Sequence, residues 1–147
     1  FNKYTDFYAM AYHIFALLMN GSSPFASMAN MEAISQHPSK NVSSIDIDQF
    51  HAAEKGEFVF VRHFLFKKAP EYAPKYKMLS QELRKLFERA FIEGAKNPKV
   101  RPEAKEFYDA LTEYLESLEE CHCGHYGHYM PSTYTGECEW SRLETLK

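Results

Sequence analysis

Apolar residues recur at three- and four-residue spacings near the start of the chain, which is the pattern of an amphipathic α-helix. The pattern predicts a helix over residues 5–20, with Thr5 as its N-cap. Asn20 and Gly21 tolerate the left-handed conformation in which many helices end. The apolar face is broad, so we expect this first helix to be mostly buried. The apolar positions are Phe7, Met10, Ala11, Ile14, Phe15, Leu17 and Leu18.

Two further helices are predicted in the second half of the chain. Ser80 is placed to cap the first of them and Gly94 to end it, while Pro102 starts the second. The inward stripe of the former consists of Leu83, Leu86, Phe87, Ala90 and Phe91. The inward stripe of the latter consists of Ala104, Phe107, Leu111, Tyr114, Leu115 and Leu118.

The segment between the first helix and the two late helices has no sustained periodicity. Ser23 and Pro24 favour a short helix that reaches about Ile34, and the polar residues 36–49 predict a loop or insertion. Residues 58–61 are β-like but too few to define a sheet, and residues 69–77, with two prolines, predict an extended connector. The fold predicted is therefore mainly α, followed by an irregular tail.

Composition and charge narrow the classes of function. The chain has 147 residues, is 45% hydrophobic and 16% aromatic, and carries a formal charge of −3, so it fits one globular domain. A mildly acidic chain gives no electrostatic reason to expect a nucleic-acid partner. The nearly uncharged run over residues 7–30 is broken by Asn20, Gly21 and Pro24, which leaves it too short for a bilayer. We expect a soluble, cytoplasmic protein, and the helical start at Phe1 suggests a piece of something longer.

Two blocks of residues resemble the C-terminal lobe of eukaryotic-like Ser/Thr protein kinases. The first block resembles the long central kinase helix and consists of Thr5, Asp6, Phe7, Tyr8, Ala9, Met10, Ala11, Leu17 to Gly21, Pro24 and Phe25. The second resembles the last two kinase helices and consists of Leu83, Leu86, Phe87, Arg89, Ala90, Phe91, Asn97, Pro98, Arg101, Pro102, Ala104, Glu106 and Leu111. The Phe-x-Arg-Ala-Phe stretch and the Cys/His tail look more narrowly like a bacterial branch of kinase-like proteins.

The resemblance implies a division of the chain and two scaffold residues. Residues 1–120 would be a portion of a kinase-like lobe, with an insertion at about residues 36–79, and residues 121–147 a Cys/His-rich tail. Asp6 matches the family aspartate that accepts hydrogen bonds from the catalytic loop. Arg101 matches the arginine that pairs with the glutamate of the Ala-Pro-Glu motif. The parent protein would transfer phosphate from ATP, with Mg, to Ser or Thr of a protein substrate.

The residues that perform phosphoryl transfer are missing from the sequence. Kinases need a Gly-rich loop, a strand lysine, a catalytic-loop aspartate and an Asp-Phe-Gly motif, and the chain contains none of them. Ala69, Pro70 and Glu71 spell a kinase motif but follow the central helix instead of preceding it. Asp6 leads straight into a helix, unlike a metal-binding loop. We therefore expect the chain alone to be inactive, without catalytic or ATP-binding residues.

The alternative to a kinase fragment is a non-catalytic module, such as a pseudokinase or a zinc-stapled protein-interaction domain. Partners would be the remainder of the kinase domain or a second copy of the chain. Self-association is expected because Phe7, Tyr8, Tyr12 and Phe15 would form an exposed apolar patch on an isolated central helix.

The tail at residues 121–147 carries the candidate metal site. Zinc takes four nitrogen or sulfur ligands, and the tail offers Cys121, Cys123, His128 and Cys138. The spacing of the last three resembles that of the kinase-like branch, whose final cysteine would fall at Ser141; Cys121 can replace it. The competing histidines are His122 and His125. A structural zinc ion and a tail of reduced, unliganded thiols are both open at this stage.

Overall fold

The structure, a computed structural model, describes residues 2–26, 42–61 and 68–146. It is mainly helical with a two-stranded sheet, which confirms the predicted class. No helix among the described residues is both long enough and apolar enough to cross a membrane. In chain order the elements are α1 (Lys3–Leu18), α2 (Val42–Lys55), α3 (Gln81–Glu88), α4 (Ala104–Glu116), β1 (Leu118–Glu120), β2 (Tyr129–Pro131) and α5 (Glu139–Glu144).

Helix α1 begins two residues earlier than the sequence predicted. The side chain of Asn2, not that of Thr5, accepts hydrogen bonds from the first backbone N–H groups, those of Tyr4 and Thr5. An asparagine at the N-cap satisfies donors that have no partner inside the helix. The predicted end is confirmed, because Asn20 and Gly21 both have left-handed backbone conformations, with φ of 54° and 79°.

Phe15 of α1 lies at the centre of the hydrophobic core and is 0% exposed. Its ring meets Phe87 of α3 in an edge-to-face contact with centroids 5.1 Å apart. Tyr8 and Tyr12 are half-buried against the same core. The predicted exposed patch is therefore wrong for Phe15, because α3 and the turn around Phe58 cover that face of α1. Self-association remains a prediction, but the burial of Phe15 removes part of the exposed patch on which it was based.

Helix α3 begins as predicted and does not end where predicted. The Ser80 side chain accepts from the backbone N–H of Leu83, which confirms the N-cap. The helix then widens into a π-helical turn, Arg89–Glu93, and continues through Gly94–Lys96. Gly94 is thus inside the helix. A Cβ there would lie 2.7 Å from Cγ of Arg101, so glycine is required by close packing and not by a helix stop.

Helix α4 follows Pro102 and starts with a capping box formed by Glu103 and Glu106. Glu106 also pairs with Arg89, which connects α4 to the π-helical turn. The predicted inward stripe is confirmed at Phe107 and Tyr114, which are buried. It is wrong at Ala104, which is exposed, and at Leu115, which is 68% exposed.

The middle of the chain differs most from the prediction. Residues 42–49, expected in a loop, belong to α2, whose Ala52 is buried. Gly56, just after α2, approaches the backbone of α3 closely, since a Cβ there would lie 3.1 Å from the carbonyl of Ile92. Tertiary packing has therefore outweighed the polar composition. Residues 27–34 of the predicted short helix, and residues 36–41, lie outside the described residues.

The predicted β-like run is also wrong, because residues 58–61 form a turn. Phe58 and Val59 are buried in that turn, so their apolar character reflects burial and not pairing in a sheet. The connector over residues 69–77 runs into a short 3₁₀ turn, Tyr76–Met78, where Met78 is buried.

Candidate metal centre

The tail opens with a β-hairpin that presents one loop of candidate ligands. Strands β1 and β2 are antiparallel, with Glu119 opposite Met130, and the N–H of Cys121 continues the pairing by donating to the carbonyl of His128 at 2.8 Å. Gly124 and Gly127 adopt φ of 83° and 82°, which allows the chain to reverse twice within the loop. The hairpin therefore holds both ends of residues 121–128 at one place.

Helix α5 brings the third thiol to this loop. Cys138 is the residue immediately before α5, while Ser141 and Glu144 lie on the helix itself. The indole N–H of Trp140 donates to the carbonyl of Tyr129 at 2.9 Å, which fixes α5 against β2. The loop of the β1–β2 hairpin and the start of α5 thus meet at the three cysteines.

The four predicted ligands and the competing His125 come together. The Sγ atoms of Cys121, Cys123 and Cys138 lie within 4.8 Å of one another, and so do the ligand atoms of Cys123, His125 and His128. These residues are therefore close enough to hold a metal ion. The predicted set of Cys121, Cys123, His128 and Cys138 is placed in one cluster.

The distances around His128 fit tetrahedral coordination. Nδ1 of His128 lies 3.4 Å from Sγ of Cys123 and 3.6 Å from Sγ of Cys138. Zinc–sulfur and zinc–nitrogen bonds of about 2.3 and 2.05 Å, set at a tetrahedral angle, separate the two ligand atoms by about 3.5 Å. His128, Cys123 and Cys138 thus have the spacing expected of ligands in one tetrahedral coordination sphere.

Glu144 orients the His128 ring. Its Oε1 lies 3.1 Å from Nε2 of His128, whose side chain is largely buried. Because a carboxylate oxygen accepts hydrogen bonds, Nε2 carries the proton and Nδ1 offers its lone pair to the cluster. Spacing along the sequence gave no signal for Glu144, since α5 alone determines which of its side chains faces the histidine.

The surroundings favour the thiolate form of two cysteines. A hydrogen bond from the Ser141 hydroxyl, and then one from the backbone N–H of His125, lower the pKa of Cys123 to about 5. At Cys138, burial raises the pKa, but hydrogen bonds from the backbone and side chain of Ser141 outweigh it and the pKa is lowered. Thiolates are the metal-binding form of cysteine, so these two are prepared to act as ligands.

Cys121 differs from the other two thiols. The backbone N–H of Cys123 acts to lower its pKa, but burial and the neighbouring Cys138 and Cys123 side chains together raise it. At His128, the Cys123 contact, opposed by burial and helped by Glu144, raises the pKa. The Cys121 thiol and the His128 imidazole thus hold their protons more tightly than usual, and a bound cation would have to displace those protons.

Ser141 occupies the position where the resemblance placed a fourth cysteine. Its Oγ lies 3.2 Å from Nδ1 of His125 and 3.4 Å from Nδ1 of His128. His125 is therefore a neighbour of the cluster and a competing ligand. His122 is exposed and belongs to neither group of ligand atoms found among the described residues.

The two predicted scaffold residues lie in the helical part of the chain. Arg101 donates from Nη1 to the carbonyl of Tyr4 at 2.9 Å and from Nε to the carbonyl of Gly94 at 3.2 Å. Its guanidinium also sits 5.0 Å from the ring centre of Tyr8. Arg101 thus ties the start of α1 to the end of α3. Asp6 is exposed on the first turn of α1.

Comparison with protein-family models, with curated proteins and with solved structures gives no match to this chain. The resemblance to protein kinases therefore depends on the sequence blocks alone.

Proposed function

We propose that the chain is a helical module that binds one zinc ion through Cys121, Cys123, Cys138 and His128, and that this ion is structural. The observation that carries the proposal is the position of His128. Its Nδ1 is at coordination spacing from two thiols while its Nε2 is held by Glu144. Such a carboxylate–histidine pair is the usual support of a zinc-bound imidazole.

The donor set favours zinc over other common cations. Three thiolates and one imidazole are soft or borderline ligands, whereas magnesium and calcium prefer oxygen. Four protein ligands complete a tetrahedral shell, and a catalytic zinc needs one position left for water. Glu144 is engaged with the far side of His128 and is not placed as a base for such a water. The ion would crosslink the loop of the β1–β2 hairpin to Cys138 at the start of α5.

The test is metal content together with ligand substitution. The purified chain should contain one zinc ion per molecule, and its cobalt form should show the intense sulfur-to-cobalt absorption of a thiolate-rich tetrahedral site. Cys138→Ser and His128→Ala should each lose most of the bound metal. His51→Ala is the matched control, because His51 is an exposed histidine on α2 whose ion-pair partner is Glu54 and which lies outside the cluster. A chain that stays free of zinc under reducing conditions would overturn the proposal.

We further propose that this module is the C-terminal part of a Ser/Thr protein kinase-like domain. Its support is the two sequence blocks, together with the way their helices meet. Phe15 of α1 packs on Phe87 of α3, and Arg101 joins the two helices. ATP, Mg and the protein substrate would be bound by the parent, and the remainder of the domain would be the direct partner of this chain.

The test of the second proposal is the coding sequence upstream of Phe1. A Gly-rich loop, a strand lysine, a catalytic-loop aspartate and an Asp-Phe-Gly motif, within about 200 residues, would support an active kinase. An upstream sequence that has the fold's other features without those residues would make the parent a pseudokinase. No upstream kinase sequence at all would leave the zinc-stapled interaction module as the function.

A further inference from the structure

We infer that α5 is a metal-controlled latch, which binds the metal cluster on one side and fastens the tail to the helical body on the other. The inference rests on the proposed zinc site and concerns what occupancy of that site does to the rest of the chain. It is carried by the contacts of Glu139 and Arg142, which the metal centre does not use.

One end of the latch is a carboxylate buried inside the protein. Glu139 is 0% exposed, and its Oε2 accepts from the backbone N–H of Lys75 at 3.2 Å. Arg142 donates to the same oxygen from Nη2 at 2.7 Å and from Nε at 2.9 Å. The hydroxyl of Tyr134 donates to Oε1 at 3.3 Å. A buried carboxylate is tolerated only with partners of this kind, so Glu139 depends on the docked position of α5.

Arg142 carries the contact across to the body. Its Nη1 donates to the carbonyl of Glu71 at 3.0 Å and its Nη2 to the carbonyl of Ala73 at 2.9 Å. These are carbonyls of the connector just before α3, far from the tail in sequence. The same guanidinium therefore holds the connector and the buried carboxylate together, with charge-assisted hydrogen bonds on both sides.

One proposed metal ligand and the hydrogen-bond partner of another flank these two residues in the chain. Cys138 is adjacent to Glu139, and Glu144, the partner of His128, is two residues beyond Arg142. Helix α5 has only six residues, which is too few for a helix to be stable by its own hydrogen bonds. Its position is therefore set by the cluster at both ends and by the body between them. Loss of the ion would release Cys138 at one end of α5 and would remove the constraint on the His128 ring that contacts Glu144 at the other.

Coupling between the two sides has to be reciprocal. If the bound ion strengthens the docking of α5 by some factor, an intact latch strengthens binding of the ion by the same factor. Release of the ion should expose the carbonyls of Glu71 and Ala73 and the carboxylate of Glu139, while the core around Phe15 keeps its packing.

The test is deuterium exchange of backbone amides on the complete chain, followed by mass spectrometry of its peptides. Removing zinc with a chelator under reducing conditions should accelerate exchange over residues 71–76 about tenfold, because the backbone N–H of Lys75 loses its hydrogen bond to the Glu139 carboxylate. Exchange over residues 81–93 should not change. With zinc bound, Arg142→Ala should give the same acceleration over residues 71–76 and keep one zinc per chain at weaker affinity. Lys105→Ala, which removes an exposed cation on α4, is the matched control.

Each outcome decides between the two proposals. Bound zinc whose removal leaves exchange over residues 71–76 unchanged overturns the latch alone. Faster exchange over residues 81–93 as well also overturns it, because the ion then supports the whole fold. A chain that binds no zinc overturns the metal site and the latch together.

Discussion

The carboxylate of Glu144 lies 3.1 Å from Nε2 of His128, on the side of the ring opposite the cysteine thiols. This contact selects the tautomer that directs a lone pair toward Cys123 and Cys138. It also explains how a histidine that is only 9% exposed keeps both ring nitrogens engaged.

Glu144→Ala should weaken zinc binding by about 10- to 100-fold, because the His128 ring loses the partner that fixes its orientation. The measurement is competition with a chromophoric chelator of known affinity. Glu144→Gln keeps one hydrogen-bonding oxygen and should lose less. Glu137→Ala, an exposed acid on the segment before Cys138, is the control for simple loss of charge. Equal affinity of Glu144→Ala and the wild type would contradict the role given to Glu144.

Phe15→Ala should lower the free energy of unfolding by about 3–5 kcal/mol, since it opens a cavity beneath Phe58, Phe87 and Phe91. Urea denaturation followed by circular dichroism measures the change. Leu17→Ala is matched to it on the same helix, and because Leu17 is 84% exposed its cost should stay within about 0.5 kcal/mol. If Phe15→Ala and Leu17→Ala lowered the free energy of unfolding by similar amounts, Phe15 would not be at the centre of the core.

Gly94→Ala should destabilise the chain by about 1–3 kcal/mol, although alanine is the better helix former. The added Cβ would lie 2.7 Å from Cγ of Arg101, which must move and weaken its bond to the carbonyl of Tyr4. In an Arg101→Ala background the same substitution should cost clearly less, because the side chain it displaces is gone. If the losses of stability in the double-mutant cycle were additive, the effect of the Gly94 substitution would not depend on Arg101, contrary to this prediction.

Glu106 should make stability fall at acidic pH. The hydrogen bond from Arg89 lowers the pKa of Glu106 below its value in the unfolded chain, with burial opposing it. Ionised Glu106 therefore favours folding above the unfolded pKa of about 4.3, and this contribution is lost as the pH falls through the lower folded pKa. The pair is partly exposed, so its contribution should be no more than about 1 kcal/mol.

Urea denaturation of the wild type and Glu106→Gln between pH 7 and pH 3 tests this directly. Glutamine preserves the capping box, so the difference in stability should be constant near neutrality and narrow toward pH 3. Glu113→Gln removes a charge from the exposed face of the same helix and serves as the control. A difference that widens toward pH 3 would be opposite to the expected sign.

Local signals in the sequence were sufficient for the start of α3, for the end of α1 and for the grouping of cysteines and histidines in the tail. Ser80 capped its helix, Asn20 and Gly21 ended α1, and the cysteines and histidine of the tail met as predicted. Helix periodicity, caps and thiol chemistry act over a few residues or through intrinsic reactivity. They can therefore be read without knowing which segments are neighbours.

Other features depend on partners that are distant along the chain. Gly94 looked like a helix end but is a point of close approach for Arg101, and the polar residues 42–49 became helical within α2, which packs beside α3. Glu144 and Arg142 had no recognisable spacing to His128 or Ala73, which they contact. Such residues are selected by packing between elements, because burial and hydrogen bonding depend on what lies opposite in space and not on what is adjacent in sequence.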